Sequence, residues 1–149
     1  MKQTVKKMFA TADEAEGAFY DAFERANLSA MMAVWAESDD VVCVHPQGPR
    51  LVGFEAVRES WMQIFAGGAT LRVRASEQRR FDGSSVAVRA VIERVSPAGE
   101  DAPVSLVCAT NVYELTTSGW RMTVHHASPM AEAPRAQAEE PPPPGYTLH

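Results

Sequence analysis

The 149-residue sequence has only two cysteines, no long apolar run and no excess of positive charge. Cys43 and Cys108 lie in apolar, strand-like segments, so we predict two reduced, buried thiols and no disulfide. No stretch of about 18 apolar residues is present, which predicts no membrane span. Residues 1–8 are basic but lack the apolar stretch of a signal peptide, which favours a cytoplasmic protein.

A basic surface is also missing, because the formal net charge is −5. A nucleic-acid-binding protein needs a positively charged face, so we predict no nucleic-acid partner. The arginines instead alternate along predicted strands, which indicates a solvated outer sheet face or a subunit contact. They are Arg72, Arg74, Arg79, Arg80, Arg89 and Arg94.

The motifs of cofactor, metal and nucleophile chemistry are absent as well. There is no Gly-x-Ser-x-Gly elbow, no glycine-rich phosphate loop and no pair of histidines four residues apart. A metal site built from Asp40, His45 and His126 would lack a recognised ligand spacing. We therefore predict no metal and no cofactor. Asp40 could instead orient His45, although an exposed loop acid is the simpler interpretation.

What the chain does have is a clear change of period. A capping box at residues 11–14 begins one amphipathic helix, and Asn27 caps a second. Two short strands and a third helix follow. From residue 71 onwards, apolar residues recur at every second position, which is the pattern of β-strands. The order α-α-β-β-α-β-β-β-β predicts an α+β domain with helices on one side of the sheet.

The predicted boundaries are a flexible N-terminus over 1–10, one domain over 11–128 and a disordered tail over 129–149. The tail contains four consecutive prolines at 141–144 and few apolar residues, which is typical of a segment that cannot join a core.

The first strand ends on His45, and a Pro/Gly turn then leads into the third helix. Histidine titrates near neutrality, so a ring at this position could act as a general base. The alternative is a structural histidine held by backbone hydrogen bonds.

Several segments together resemble the nuclear transport factor 2-like superfamily, in particular its SnoaL-like branch. They are residues 33–36, 45–48 before 51–53, 56–61, 110–113 and 119–126. The resemblance covers about residues 10–128. It implies a cone-shaped, cystatin-like α+β barrel, in which a curved, mixed sheet of about six strands wraps around three helices and encloses a cavity. It also implies a pocket for a small, mostly apolar molecule.

Ketosteroid isomerase is the relative whose mechanism is best understood: an aspartate base works opposite a tyrosine and a protonated aspartate. The resemblance puts His45 in the place of the base and Asn111 in that of the oxyanion-binding acid. Phe19 or Tyr20 falls near the tyrosine. The chain departs from the isomerase at all three positions. It could still be a cofactor-independent isomerase, dehydratase or hydrolase.

One of two adjacent histidines is expected to be a second acid–base group. Because neighbouring strand residues face opposite sides, only one of His125 and His126 can enter the interior. We expect Arg121 to face solvent or a subunit, which predicts that His126 points inward unless a bulge inverts the alternation.

Three aromatic residues, Trp35, Trp61 and Tyr113, could form the apolar wall of the pocket. Burial in the core is the other interpretation of each. A non-catalytic binding module, dimerising through the outer sheet face, is the alternative function. A cavity of roughly 300 Å³ or more, lined by His45 and Asn111, would favour the enzyme. A cavity filled by aromatic rings would favour the binding module.

Overall fold

The computed structural model describes residues 8–68, 70–99 and 103–131. Its elements are α1 (Ala12–Arg25), α2 (Leu28–Val34), β1 (Val42–Val44), β2 (Arg50–Val52), α3 (Phe54–Ala66), β3 (Leu71–Asp82), β4 (Val86–Pro97), β5 (Ser105–Thr116) and β6 (Gly119–Pro129). This order confirms the predicted α+β domain. Most of the predicted flexible N-terminus and tail falls in 1–7 and 132–149, outside the described residues. In the part of the chain that is described, no helix is long and apolar enough to cross a membrane.

The six strands form one mixed sheet in the order β2-β1-β6-β5-β4-β3. Every neighbouring pair is antiparallel except β1 and β6, which run parallel. Helix α1 packs against β3, β5 and β6, and α2 and α3 pack next to it. We call the helix-covered side of the sheet the inner face and the other side the outer face.

The helix starts follow the sequence signals. Thr11 Oγ1 accepts a hydrogen bond from the backbone N–H of Glu14 (3.1 Å), and the Glu14 carboxylate accepts one from the N–H of Ala10 (2.9 Å). Asn27 caps α2 by accepting from the N–H of Ala30 (3.0 Å). These contacts fix where α1 begins, and hence which of its side chains face the sheet.

A β-bulge in β6 decides which histidine faces inward. The strand pairs with β5 in one register up to Met122 and in a register shifted by one residue from Val124, which leaves Thr123 unpaired. The extra residue inverts the alternation. His125 is therefore buried (1% exposed) on the same face as Met122, and His126 is exposed. The prediction that His126 points inward is wrong.

Two arginines predicted to face outward are also buried. Arg89 is 1% exposed and forms ion pairs with Asp13 (3.2 Å) and Asp82 (2.8 Å). Arg121 is buried and its Nη1 donates to the carbonyl of Ala33 (2.9 Å). The outward placement predicted for both is wrong. In each case, ion-pair or hydrogen-bond partners compensate the cost of burying the guanidinium.

The cysteines behave differently from each other. Both are free thiols; Cys43 is buried as predicted, whereas Cys108 is exposed. Cys108 pairs with Ile92 across β4 and β5, on the outer face, where no helix of the described residues covers it. The prediction of burial was wrong for this residue because an apolar run does not reveal which face is covered.

Phe9 packs into the core just ahead of α1, because it is only 2% exposed. Its carbonyl accepts a hydrogen bond from the N–H of Trp120 (2.9 Å) at the start of β6. Gly119 makes this approach possible. Its φ is +89°, and an added Cβ would lie 2.8 Å from the Phe9 carbonyl oxygen.

We therefore expect Gly119→Ala to lower the free energy of unfolding by about 2 kcal/mol, through strain and this clash. Gly17→Ala is the matched control, because Gly17 is exposed in α1 and a Cβ there would meet nothing within 4 Å. The free energy of unfolding of this control should rise by up to about 1 kcal/mol, because alanine has a higher helix propensity than glycine. Urea denaturation measures the free energy of unfolding of both variants. Equal values for Gly119→Ala and Gly17→Ala would contradict the expected clash.

Candidate active site

Four side chains form a continuous hydrogen-bonded chain between α1 and the inner face. Tyr20 Oη donates to Glu93 Oε2 (2.6 Å), and Asn111 Nδ2 donates to Tyr20 Oη (2.9 Å). His125 Nδ1 lies 2.6 Å from Asn111 Oδ1. Because this oxygen can only accept, the proton of His125 is on Nδ1 and the lone pair is on Nε2. We call these four residues the polar chain.

Burial sets the charge states within the polar chain. It lowers the pKa of His125 to about 3, with smaller contributions from the nearby His45 and His126, so this ring is neutral at pH 7. Burial also raises the pKa of Glu93 to about 7, although the hydrogen bond from Tyr20 opposes the shift. Glu93 can therefore gain or lose a proton near neutrality.

A second buried carboxylate lies beside the polar chain. Glu16 accepts hydrogen bonds from Tyr113 Oη (3.3 Å) and from the side-chain amide of Gln78, and the nearby amide of Asn111 favours its charged form. Burial raises the pKa of Glu16 above its ordinary value. Tyr113 is fully buried with its hydroxyl bonded, which is the arrangement of a core aromatic residue.

His45 lies half-buried just after β1. Its Nε2 is 3.0 Å from Ser60 Oγ and 3.6 Å from Cys43 Sγ. The Ser60 hydroxyl donates to the carbonyl of Val57 (2.7 Å), so it can only accept from His45. The proton of His45 is therefore on Nε2, and Nδ1 keeps its lone pair. Burial lowers the pKa of His45, so the ring is mainly neutral at pH 7.

Trp61 is the centre of a group of rings between α1, α3 and the inner face. The stripe of α3 buries it completely, together with Val57. The ring centroids around it are those of His45 (4.7 Å), Phe23 (4.9 Å), Phe65 (5.5 Å), Phe19 (5.7 Å) and His125 (6.1 Å). We call this group the Trp61 cluster. It joins His45 to the polar chain through His125.

The predicted site residues thus divide into three groups. His45, Phe19 and Trp61 lie in the Trp61 cluster; Tyr20 and Asn111 lie in the polar chain. Trp35 is buried beside Met122, which its backbone bridges, and is not among the rings around Trp61. His126 and Asp40 are exposed.

The environment of Asn111 differs from that expected of an oxyanion donor. Its oxygen contacts His125, and its amide nitrogen donates to Tyr20 and lies near Glu16. Its oxygen and its amide nitrogen are therefore both engaged by protein groups.

Sequence reasoning missed Glu93 and Glu16. Glu93 sits in an apolar run of β4, and an acid at such a position is a signal because charged residues are rarely buried without a partner. The alternation of β4 hid the signal. The apolar residues Val88 and Ile92 alternate with Arg89 and Glu93, and the structure buries the set that contains Arg89 and Glu93.

A spacious groove lies elsewhere, on the outer side of the helices. It measures about 1360 Å³ and is lined by residues such as Ala18, Leu28, Met32, Phe54 and Arg58. Neither His45 nor Asn111 lines it. Rings occupy much of the interior next to His45, and a ligand-sized cavity there stays a prediction. No group of three His, Cys, Asp or Glu side chains in the described residues could hold a metal ion.

Comparison with known sequences gives one family and one curated relative. A family model described as a SnoaL-like domain matches residues 13–132. The F-box protein SKIP8 of Arabidopsis thaliana is 30% identical over 115 residues, which cover 75% of this chain and 46% of that protein. The chain therefore spans less than half the length of this relative.

Solved structures share the fold. A candidate calcium/calmodulin-dependent protein kinase type II association domain from Thiobacillus denitrificans is 40% identical, with a TM-score of 0.75 over 84% of this chain and 99% of that one. A candidate dehydratase of the nuclear transport factor 2-like family from Streptomyces avermitilis is 28% identical, with a TM-score of 0.72 over 79% and 93%. A ketosteroid isomerase-like protein from Erwinia carotovora atroseptica is 17% identical, with a TM-score of 0.62 over 80% and 94%, which shows the fold alone.

Proposed function

This chain belongs to the SnoaL-like domain family of the nuclear transport factor 2-like superfamily, and we propose that it is a cofactor-independent enzyme that moves a proton on a small, mostly apolar molecule. The reaction would be an isomerisation, a dehydration or a hydrolysis. The observation that carries the proposal is the state of His45, a neutral ring with a free Nδ1 lone pair at the half-buried side of the Trp61 cluster. The likeness to a candidate dehydratase supports the same class.

His45 would be the general base. The bond from Nε2 to Ser60 holds the ring in one tautomer, so Nδ1 is ready to take a proton from a carbon or from water. Because burial lowers the pKa of His45, the base stays unprotonated at pH values below the ordinary histidine pKa. The acid limb of a rate profile should therefore lie below about pH 6.5.

Glu93 would be the second acid–base group, in the role predicted for His126. Its pKa of about 7 lets it act as either acid or base near neutrality. The hydroxyl of Tyr20 links it to Asn111 and His125. Asn111 would be a positioning residue that holds the polar chain together, since its amide nitrogen donates to Tyr20 and its oxygen faces His125.

The test begins with a thermal-shift screen of small ketones, acids and sterols. Deuterium uptake next to the carbonyl of any bound ketone then reports proton abstraction, by NMR in D₂O. We expect His45→Ala to lose this exchange while keeping the fold. His126→Ala is the control, because it removes an exposed histidine on the other face. Equal exchange rates in wild type and His45→Ala would rule out the role of His45.

A non-catalytic association module is the second candidate function. Two observations favour it: rings fill much of the interior, and the Thiobacillus denitrificans neighbour is named as an association domain. The outer face offers a surface for a second copy. Val42, Val88, Val112 and Val124 lie side by side across four strands, in register and partly exposed. A continuous apolar row of this kind is typical of an interface.

We expect the protein to form a symmetric dimer through this row. Val112→Glu places a charge in its centre and should yield a monomer at micromolar concentration. Met62→Glu is the control, because Met62 is exposed on α3, away from the row. Sedimentation velocity measures both variants. A monomeric wild type, or a Val112→Glu variant that remains dimeric, would contradict the proposed interface.

A further inference from the structure

We propose that the indole N–H of Trp61 is the hydrogen-bond donor for a bound ligand, and that the site selects a small uncharged molecule with an oxygen acceptor over a carboxylate. This inference rests on the proposed binding site at the Trp61 cluster and names the chemistry that the site recognises. It gives Trp61 a specific polar contact, beyond the apolar wall that the sequence suggested.

The first observation is the indole nitrogen itself. Trp61 is 0% exposed, and Nε1 has no hydrogen-bond partner among the described residues. Buried N–H groups are almost always paired, so an unpaired one calls for an explanation. Trp61 lies against His45, Phe23 and Phe65, all of which are partly exposed. Its ring is therefore only one layer of side chains away from solvent.

The second observation is the charge of the surroundings. Of the two buried arginines of the described residues, Arg89 is paired with Asp13 and Asp82, and Arg121 donates to the carbonyl of Ala33. The buried carboxyl groups of the described residues are those of Glu16 and Glu93, and the rings of His45 and His125 are neutral at pH 7. A carboxylate ligand would meet buried acids and lose its hydration without a countercharge.

The two observations together specify the ligand. An uncharged carbonyl or hydroxyl oxygen needs only one donor, and the indole N–H supplies it without a charge. The apolar part of the ligand would lie among the rings of Phe19, Phe23 and Phe65. Because the ring of His45 is only 4.7 Å from that of Trp61, a ligand held by its oxygen at Trp61 also lies next to the proposed base.

The experiment uses cyclohexanone as the probe and cyclohexanecarboxylate as its charged counterpart, at pH 7. The protein is labelled with ¹⁵N at its tryptophan indoles. Cyclohexanone should move the indole proton of Trp61 downfield and leave that of Trp35 in place. Trp35 is the matched internal control, because its Nε1 is also buried and unpaired and the residue lies outside the Trp61 cluster.

Variants give a second, independent readout. Trp61→Phe should weaken cyclohexanone binding by about fivefold to tenfold, the effect of one lost hydrogen bond, whereas Trp35→Phe should not. The carboxylate should bind at least about tenfold more weakly than the ketone. If Trp61→Phe does not fold, the chemical-shift change of the Trp61 indole proton in the wild-type protein tests the donor role on its own.

The failures can be told apart. If cyclohexanone shifts the ring resonances of His45 but leaves the Trp61 indole proton unmoved, the donor role is wrong and the binding site stands. Equal binding of ketone and carboxylate overturns the selectivity. If cyclohexanone moves no resonance of His45, His125 or Trp61, both this inference and the proposed binding site are wrong.

Discussion

Replacing Asn111 with leucine is expected to lower the free energy of unfolding by about 3 kcal/mol. Leucine fills a similar volume but leaves the Nδ1–H of His125 without its acceptor and removes the donor to Tyr20. A buried group that loses its partner keeps the full cost of its lost hydration. Urea denaturation at pH 7 measures the change.

A double variant separates the hydrogen bonds from the packing. When His125 is also replaced, in Asn111→Leu/His125→Phe, no unpaired donor remains at this point of the polar chain, so part of the loss should be recovered. Thr110→Leu is the control for introducing leucine into β5, because Thr110 is exposed on the outer face. A loss below about 1 kcal/mol in Asn111→Leu would contradict the proposed importance of the polar chain.

The second large effect is a dependence of stability on pH that Glu93 causes. Burial raises its pKa from 4.5 to about 7, so the folded protein binds this proton more tightly than the unfolded chain does. The resulting stabilisation is fully present below about pH 4.5 and is lost as the pH rises through about 7. A shift of this size corresponds to about 3 kcal/mol.

Glu93→Gln removes this titration while the amide oxygen can still accept from Tyr20. The stability of the wild type relative to Glu93→Gln should therefore fall by about 3 kcal/mol between about pH 4.5 and pH 8. Glu59→Gln, an exposed carboxylate of α3, controls for the loss of a charge. A constant difference between wild type and Glu93→Gln across this range would show that Glu93 does not titrate as we expect.

The stability of the wild type must be compared with that of Glu93→Gln, because His125 changes the stability with pH in the opposite direction. Its folded pKa of about 3 lies below the ordinary 6.5, so its stabilisation is present above pH 6.5 and is lost as the pH falls towards 3. Between about pH 4.5 and 6.5 the two groups oppose each other. The wild-type curve alone therefore understates both effects.

The order of helices and strands was predictable because each element carries a local signal. Residues 11–14 form a capping box, Asn27 caps α2, and the period changes from helical to two at residue 71. These patterns depend on a few neighbouring residues, and the structure confirms them. Which face of a strand is covered depends on the rest of the fold.

That dependence explains the errors in orientation. Thr123 gives β6 one extra residue, which places His125 inside and His126 outside. Nothing in the sequence around Thr123 marks it as a bulge. In β4, apolar and charged residues alternate, and the buried set contains Arg89 and Glu93 because partners on α1 and at the strand end receive them.

The candidate site was predictable in its residue types and not in its connections. His45 was predicted because a strand ends there before a turn. Asn111 was predicted from a family resemblance. The hydrogen bonds of the polar chain join residues that are far apart in sequence. Tyr20 and Glu93 are separated by 73 positions, and Tyr20 and Asn111 by 91. Such contacts exist only once α1 has packed on the sheet, so the single sequence could not indicate them.

The measurement that tests the central claim most directly is the location of bound cyclohexanone by intermolecular NOEs. We predict contacts from the ligand to the ring protons of His45 and Trp61. Contacts confined to Leu28 and Met32, in the groove on the outer side of the helices, would contradict a site on the inner face of the sheet.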